Sequence, residues 1–184
     1  MIGRECSVAS ALASGRYDAV MNPTQPRPDA PVPTSGVMTV RARYCECDPM
    51  GVVHHGAYIP WLEMGRTELL REAGVSYAEL EAAGVFLVIV KLECSYKRPA
   101  YYDDLVEVRT KVVGGSRVKI RHEYEVVRAE GRAVMEGDEG GGGNNLVQRR
   151  VAGEVLMMGS SMLACVGRGG RVAELPEWLT PTER

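Results

Sequence analysis

Between about Gly56 and Ala73, the residues Tyr58, Trp61, Leu62, Gly65, Leu69 and Ala73 recur at three- and four-residue spacing and draw one apolar stripe along a helix. Whatever else the chain forms has to pack against that stripe. Pro60 is tolerated only in the first turn, where its missing N–H has no intrahelical partner, so it fixes the helix start close by. Gly65 lowers helix propensity in the middle of the stripe, and the expected return is close approach of the helix to a sheet. Gly74 ends the helix as a cap. A second, short helix opens at Ser76, with Glu79 completing a capping box, and stops at Gly84.

The pattern around these helices is one of strands. Val37 to Tyr44 alternates apolar and polar residues, as a strand with one wet face does. Val85 to Tyr96 begins as a nearly unbroken apolar run (VFLVIV), which predicts a strand buried on both sides. Asp103-Asp104 precedes a strand over Leu105 to Val113, and Gly114-Gly115 turns it into another over Arg117 to Arg128. In that strand Val118, Ile120, His122, Tyr124 and Val126 share a face. The last strand covers about Val155 to Val166. Strand, helix, then consecutive strands joined by short turns predict an α+β domain, an antiparallel sheet wrapped around one long central helix.

The flanks differ in kind. Pro23, Pro26, Pro28, Pro31 and Pro33 favour extended, solvated backbone, so residues 1–36 are expected to be a disordered leader, with Met21 and Met38 as alternative starts. Ser7 to Gly15 is too short in its apolar part for a secretory signal, and Glu5 stands where a basic region would be. Residues 37–180 are then the folded domain. Glu136 to Asn145 (EGDEGGGGNN) is a polar, glycine-rich stretch that marks an insertion at about 136–154.

The length of 184 residues fits one domain plus tails. A formal net charge of -2 gives no electrostatic footprint for nucleic acid. No apolar run approaches the ~20 residues that span a bilayer, so stable membrane insertion is not expected. Five cysteines, an odd number without framework spacing, point to reduced thiols and a cytoplasmic location.

The chemistry concentrates in Tyr44 to Glu68, YCECDPMGVVHHGAYIPWLEMGRTE. It places Asp48 on a Pro-Met-Gly turn, follows it with His54 and His55, and then enters the helix. A carboxylate beside a helix N-terminus suits attack on a carbonyl, because free backbone N–H groups there can hold an oxyanion. Cys45 and Cys47 beside the two histidines lack zinc-ligand spacing, so no metal is expected. An aspartate in such a turn is on its own commonly just a turn or capping residue.

The continuation decides between these readings. Asp48-x-x-Gly51-Val52-Val53-x-His55-x-x-Tyr58, then Trp61-x-Glu63-x-x-Arg66-Thr67-Glu68, resembles the 4-hydroxybenzoyl-CoA thioesterase family in its bacterial acyl-CoA thioesterase branch. Tyr96-x-Arg98-Pro99-Ala100-x-Tyr102-Asp103-Asp104 and Leu175-Pro176 fit the same pattern, over about Val40 to Trp178. The resemblance implies a hotdog fold with a five-stranded antiparallel sheet, a homodimer or homotetramer with sites at the subunit interface, and acyl-CoA hydrolysis without a cofactor. It implies that Asp48 acts as nucleophile or general base, and that His55 presents its backbone N–H to the thioester carbonyl. His54 is left as a bystander. Gly51, Val52, Tyr58, Glu63 and Arg98 are the expected substrate-binding residues, with Glu63 a lesser candidate for orienting water and Tyr58 also readable as core. Two alternatives stand beside the thioesterase: a non-catalytic acyl-CoA-binding hotdog protein and, ranked lower, an acyl-thioester dehydratase or hydratase.

Overall fold

The computed structural model describes residues 26–131 and 150–181. Five strands are present: β1 (Ser35–Arg41), β2 (Phe86–Tyr96), β3 (Leu105–Ser116), β4 (Lys119–Arg128) and β5 (Val155–Val166). Helix α1 spans Tyr58–Glu72 and helix α2 spans Tyr77–Ala82. The strands form one sheet in the order β1-β3-β4-β5-β2, with every neighbouring pair antiparallel. The α+β hotdog expectation holds.

The stripe of α1 is what the sheet closes on. Trp61 is fully buried and Tyr58 and Leu62 nearly so, against Val106, Val108, Tyr124, Val126, Leu156 and Met157. Farther along the helix, Leu70 joins Val75, Leu80, Val85, Ile120, Cys165 and Leu175 in a second cluster. Each large apolar side chain taken out of water here contributes about 1.5–3 kcal/mol. The capping box of α2 is present in full, with Ser76 and Glu79 exchanging side-chain to backbone bonds. Gly74 and Gly84 both have positive φ where the helices stop.

Three features depart from the sequence reading. β2 is an edge strand, paired only with β5, and Val88, Ile89 and Val90 are 41%, 42% and 53% exposed. Its apolar run is therefore not buried on both sides by this chain, and the register breaks between Ile89 and Lys91. Gly114-Gly115 is not the turn but a bulge inside β3, where the register shifts and Gly114 has φ 129°. At the N-terminal flank, residues 26–36 are not buried but touch the domain: Asp29 N–H donates to Ala73 O at 2.9 Å, Val32 lies on the second cluster, and β1 starts at Ser35. Residues 1–25 of the leader and 136–149 of the insertion lie outside the described residues.

Gly65 does what its place in the stripe predicts. A Cβ there would stand 2.5 Å from Thr110 Oγ1 and 3.1 Å from Val108 Cγ1, on β3. Gly65→Ala should therefore destabilise by about 1–3 kcal/mol through overpacking, against a helix-propensity gain of about 1 kcal/mol. Urea denaturation checks this, and a variant more stable than wild type would show that the helix has room to lift from the sheet.

Candidate active site

The loop between β1 and α1 is built around a carboxylate that is not the expected one. Glu46 is buried, and its side chain accepts the Arg43 N–H at 2.7 Å, the Arg43 guanidinium at 2.8 Å and the Trp61 indole N–H at 3.0 Å. Its carbonyl accepts the His54 N–H at 2.8 Å. One residue thus ties the loop to the core face of α1 and to the segment entering the helix. Burial alone would raise the Glu46 pKa, but the hydrogen bonds from Arg43 and Trp61 more than reverse this and hold it below the usual carboxylate range.

Asp48 follows in a tight turn. Its N–H donates to Val52 O and its carbonyl accepts from Gly51, both at 2.9 Å, while Oδ1 accepts the Met50 N–H at 2.8 Å. Gly51 takes φ 79°, a conformation that an L side chain rarely adopts. The returning strand of the turn is pinned from outside. Cys47 bridges Val53, Val52 bridges Tyr101, and Val53 N–H donates to Ala100 O at 2.8 Å.

His54 is exposed and serves the local backbone. Its Nδ1 accepts the Gly56 N–H at 3.1 Å, capping the single 3-10 turn His55–Ala57 that leads into α1. Accepting on Nδ1 leaves the ring proton of the neutral form on Nε2. The two adjacent histidine rings are 4.0 Å apart, centroid to centroid. The backbone N–H of His55 is the first of the turn, and no hydrogen bond among the described residues takes it up. The His55 carbonyl accepts the Tyr96 hydroxyl at 2.9 Å, which ties the end of β2 to the helix start.

The remaining expected residues fall in different places. Gly51 and Val52 belong to the Asp48 turn. Tyr58 is 2% exposed, its hydroxyl accepts the Ala100 N–H at 3.3 Å, and burial pushes its pKa up to about 12. Its ring meets Tyr96 edge-on at 5.3 Å. Glu63 lies on the exposed side of α1, paired with Arg66 at 3.3 Å. Arg98 is exposed on the loop after β2, 3.4 Å from Glu154. Two cavities among the described residues, on the sheet and beside the second half of α1, include neither Asp48 nor His55 in their linings. Among the described residues no three His, Cys, Asp or Glu side chains converge on a point that could hold a metal ion.

Below the site lies a buried ion network. Arg128 and Asp104 pair through Nη1 and Oδ2, both almost fully buried. Arg128 Nη2 donates to Pro99 O at 2.9 Å, Arg150 Nη1 to Asp104 Oδ1 at 2.9 Å, and the Tyr101 N–H to Asp104 Oδ2 at 2.9 Å. These bonds fix segment 99–104, the surface against which Val52 and Val53 are pinned. Spacing gave no sign of Glu46 or Arg128, because charged residues in loops and strands usually face water.

The sequence profile of the thioesterase-like superfamily matches residues 42–181. The chain belongs to that superfamily. The acyl-CoA thioester hydrolase YbgC of Escherichia coli is 32% identical over 99 residues, 54% of this chain and 74% of the relative. Among solved structures, the hypothetical protein TT1821 of Thermus thermophilus is 33% identical, with TM-score 0.61 over 77% of this chain and 91% of that one. The DHNA-CoA thioesterase of Staphylococcus aureus is 27% identical, with TM-score 0.63 over 79% and 83%. The enzyme class expected from the sequence, thioester hydrolase, is the class of the superfamily and of the relatives named for an activity. No helix among the described residues is long and apolar enough to cross a membrane.

The depressed pKa of Glu46 gives a signature. Its proton is held more weakly in the folded than in the unfolded chain, so the stability it contributes is present above about pH 4.3 and is lost as pH falls through the lower folded value. Glu46→Gln should flatten the acid limb of stability against pH, followed by denaturation midpoints from about pH 3 to 7. An acid limb identical to wild type would assign that pH dependence to other groups.

Proposed function

We propose that this protein is an acyl-CoA thioesterase that hydrolyses a small or medium acyl-CoA, aliphatic or aromatic, to the free acid and CoA. The observation that carries this reading is the pairing, within one hydrogen-bonded loop, of the Asp48 carboxylate with a helix start whose first N–H, that of His55, is not taken up among the described residues. Oδ1 is held by Met50, which orients the carboxylate and leaves Oδ2 for the substrate side. In the nucleophilic route Oδ2 attacks the thioester carbonyl, the C–S bond breaks, and water then cleaves the resulting anhydride. In the general-base route Oδ2 takes a proton from water as the water attacks. Both routes place negative charge on the carbonyl oxygen, where the His55 N–H and the α1 dipole stabilise it. CoA leaves as thiolate and takes up a proton.

Gly51 and Val52 border the reacting carbonyl in this reading, and Arg98 meets the phosphates of CoA. Tyr58 supports the site from beneath through Tyr96. Glu63 orients water across a subunit boundary. The protein acts in the cytoplasm as a homodimer or homotetramer. Its exposed β2 edge, with Val88, Ile89 and Val90 in water, is the surface that supports pairing with a second copy. Met50 and Tyr44, 80% and 81% exposed beside the Asp48 turn, favour a pocket completed by that copy.

Asp48→Ala should lower kcat by about 10²–10⁴-fold on a panel of acyl-CoAs, with circular dichroism and oligomeric state unchanged. Equal hydrolysis by both proteins would remove Asp48 as the catalytic group, and no hydrolysis by either would leave an acyl-CoA-binding protein. Val90→Lys places a charge in the proposed seam and should shift the protein to monomers in light scattering, with loss of activity although Asp48 is intact. A fully active monomer would sink the shared-site reading.

A further inference from the structure

The Asp48 loop uses only the first half of α1. Beside the second half lies a cavity of about 460 Å³, within the range of small-molecule sites. Its walls are apolar: Leu69 and Leu70 of α1, Ile120 of β4, Leu163 of β5 and Leu87 of β2. Two flanking segments close it, Pro31–Thr34 before β1 and Glu177–Pro181 at the other end of the described chain. By helix rise, Leu69 is about 16 Å along the axis from Tyr58, so the cavity is well separated from the loop before α1.

Three polar groups share this lining, and two of them lack a hydrogen-bond partner among the described residues. His122 is 6% exposed, and among the described residues its Nδ1 has no hydrogen-bond partner; the indole N–H of Trp178 is buried and likewise without one among them. Arg66 is 8% exposed, with its ion pair made to an exposed Glu63 on the outer side and its guanidinium set over the Tyr77 ring at 5.4 Å. A buried polar group left unpaired costs about 1–3 kcal/mol, so two in one cavity ask for a ligand. Burial, then the nearby Arg66 charge, bring the His122 pKa down to about 4, so that at neutral pH Arg66 supplies the positive charge. Glu177, the acidic residue of the lining, is exposed at the rim. A cation, an indole N–H and a neutral imidazole in an apolar chamber match an anionic head on an aliphatic body.

We infer that this cavity is a second small-molecule site, one that binds a medium-length aliphatic monocarboxylate with its carboxylate at Arg66 and Trp178. The site stands whether or not Asp48 is catalytic.

The indole signals of the full-length, ¹⁵N-labelled protein test it, since Trp61 is held by Glu46 and serves as the internal reference. On titration with octanoate the Trp178 indole resonance should move saturably while that of Trp61 stays in place, in wild type and in Asp48→Ala alike. Arg66→Met should weaken the binding at least tenfold. Trp178→Phe removes only the N–H and part of the ring, and should weaken it several-fold by calorimetry. A Trp178 signal unmoved at millimolar octanoate overturns the site. So does binding that disappears in Asp48→Ala and ignores both cavity variants. Equal affinity for 1-octanol overturns the assignment of a carboxylate.

Discussion

The buried pair of Arg128 and Asp104 is the interaction on which the geometry of the candidate site depends. Neither group reaches water, and each is satisfied several times over. Asp104 takes Arg128, Arg150 and the Tyr101 N–H, and Arg128 also takes Pro99 O and Glu154. Removing one partner of such a pair typically costs 3–5 kcal/mol, because the other is left charged in a low-dielectric interior. Here the consequence is also directional. The pair fixes segment 99–104, that segment pins Val52 and Val53, and they close the turn that carries Asp48. A strand-borne arginine thereby sets the position of a loop carboxylate it does not touch.

A second carboxylate divides the labour. Glu46 and Asp48 are two residues apart and their environments are opposite. Glu46 is buried and consumed by Arg43 and Trp61, which makes it a fastener. Asp48 is only partly buried, and one of its oxygens is held by a single backbone N–H. In the proposed mechanism the chemistry falls to the carboxylate with an oxygen to spare.

Features that depend on local spacing were legible in the sequence. The stripe of α1, the Ser76–Glu79 capping box, the close approach at Gly65 and the β5 limits follow from neighbouring residues, and the structure agrees with each. The turn at Asp48 was legible for the same reason, since Gly51 supplies the positive φ that it needs. Features set by distant partners were not. The apolar run of β2 reads identically whether it is covered by its own chain or left at an edge. Glu46 looks like any loop acid until Trp61 is folded onto it. His54 caps Gly56 through a bond across two residues, a choice that the adjacent His55 concealed. Gly114-Gly115 has the composition of a turn, yet here it serves as a bulge.

The hydroxyl of Tyr96 links β2 to the His55 carbonyl, and so gives the edge strand a mechanical bearing on the helix start. In the proposed homodimer, a partner seated on that edge would bear, through one phenol, on the peptide unit that follows the His55 N–H. Assembly and turnover would then share a lever, and the rate per chain would climb with the concentration of the protein itself. Dilution alone would act as an off-switch.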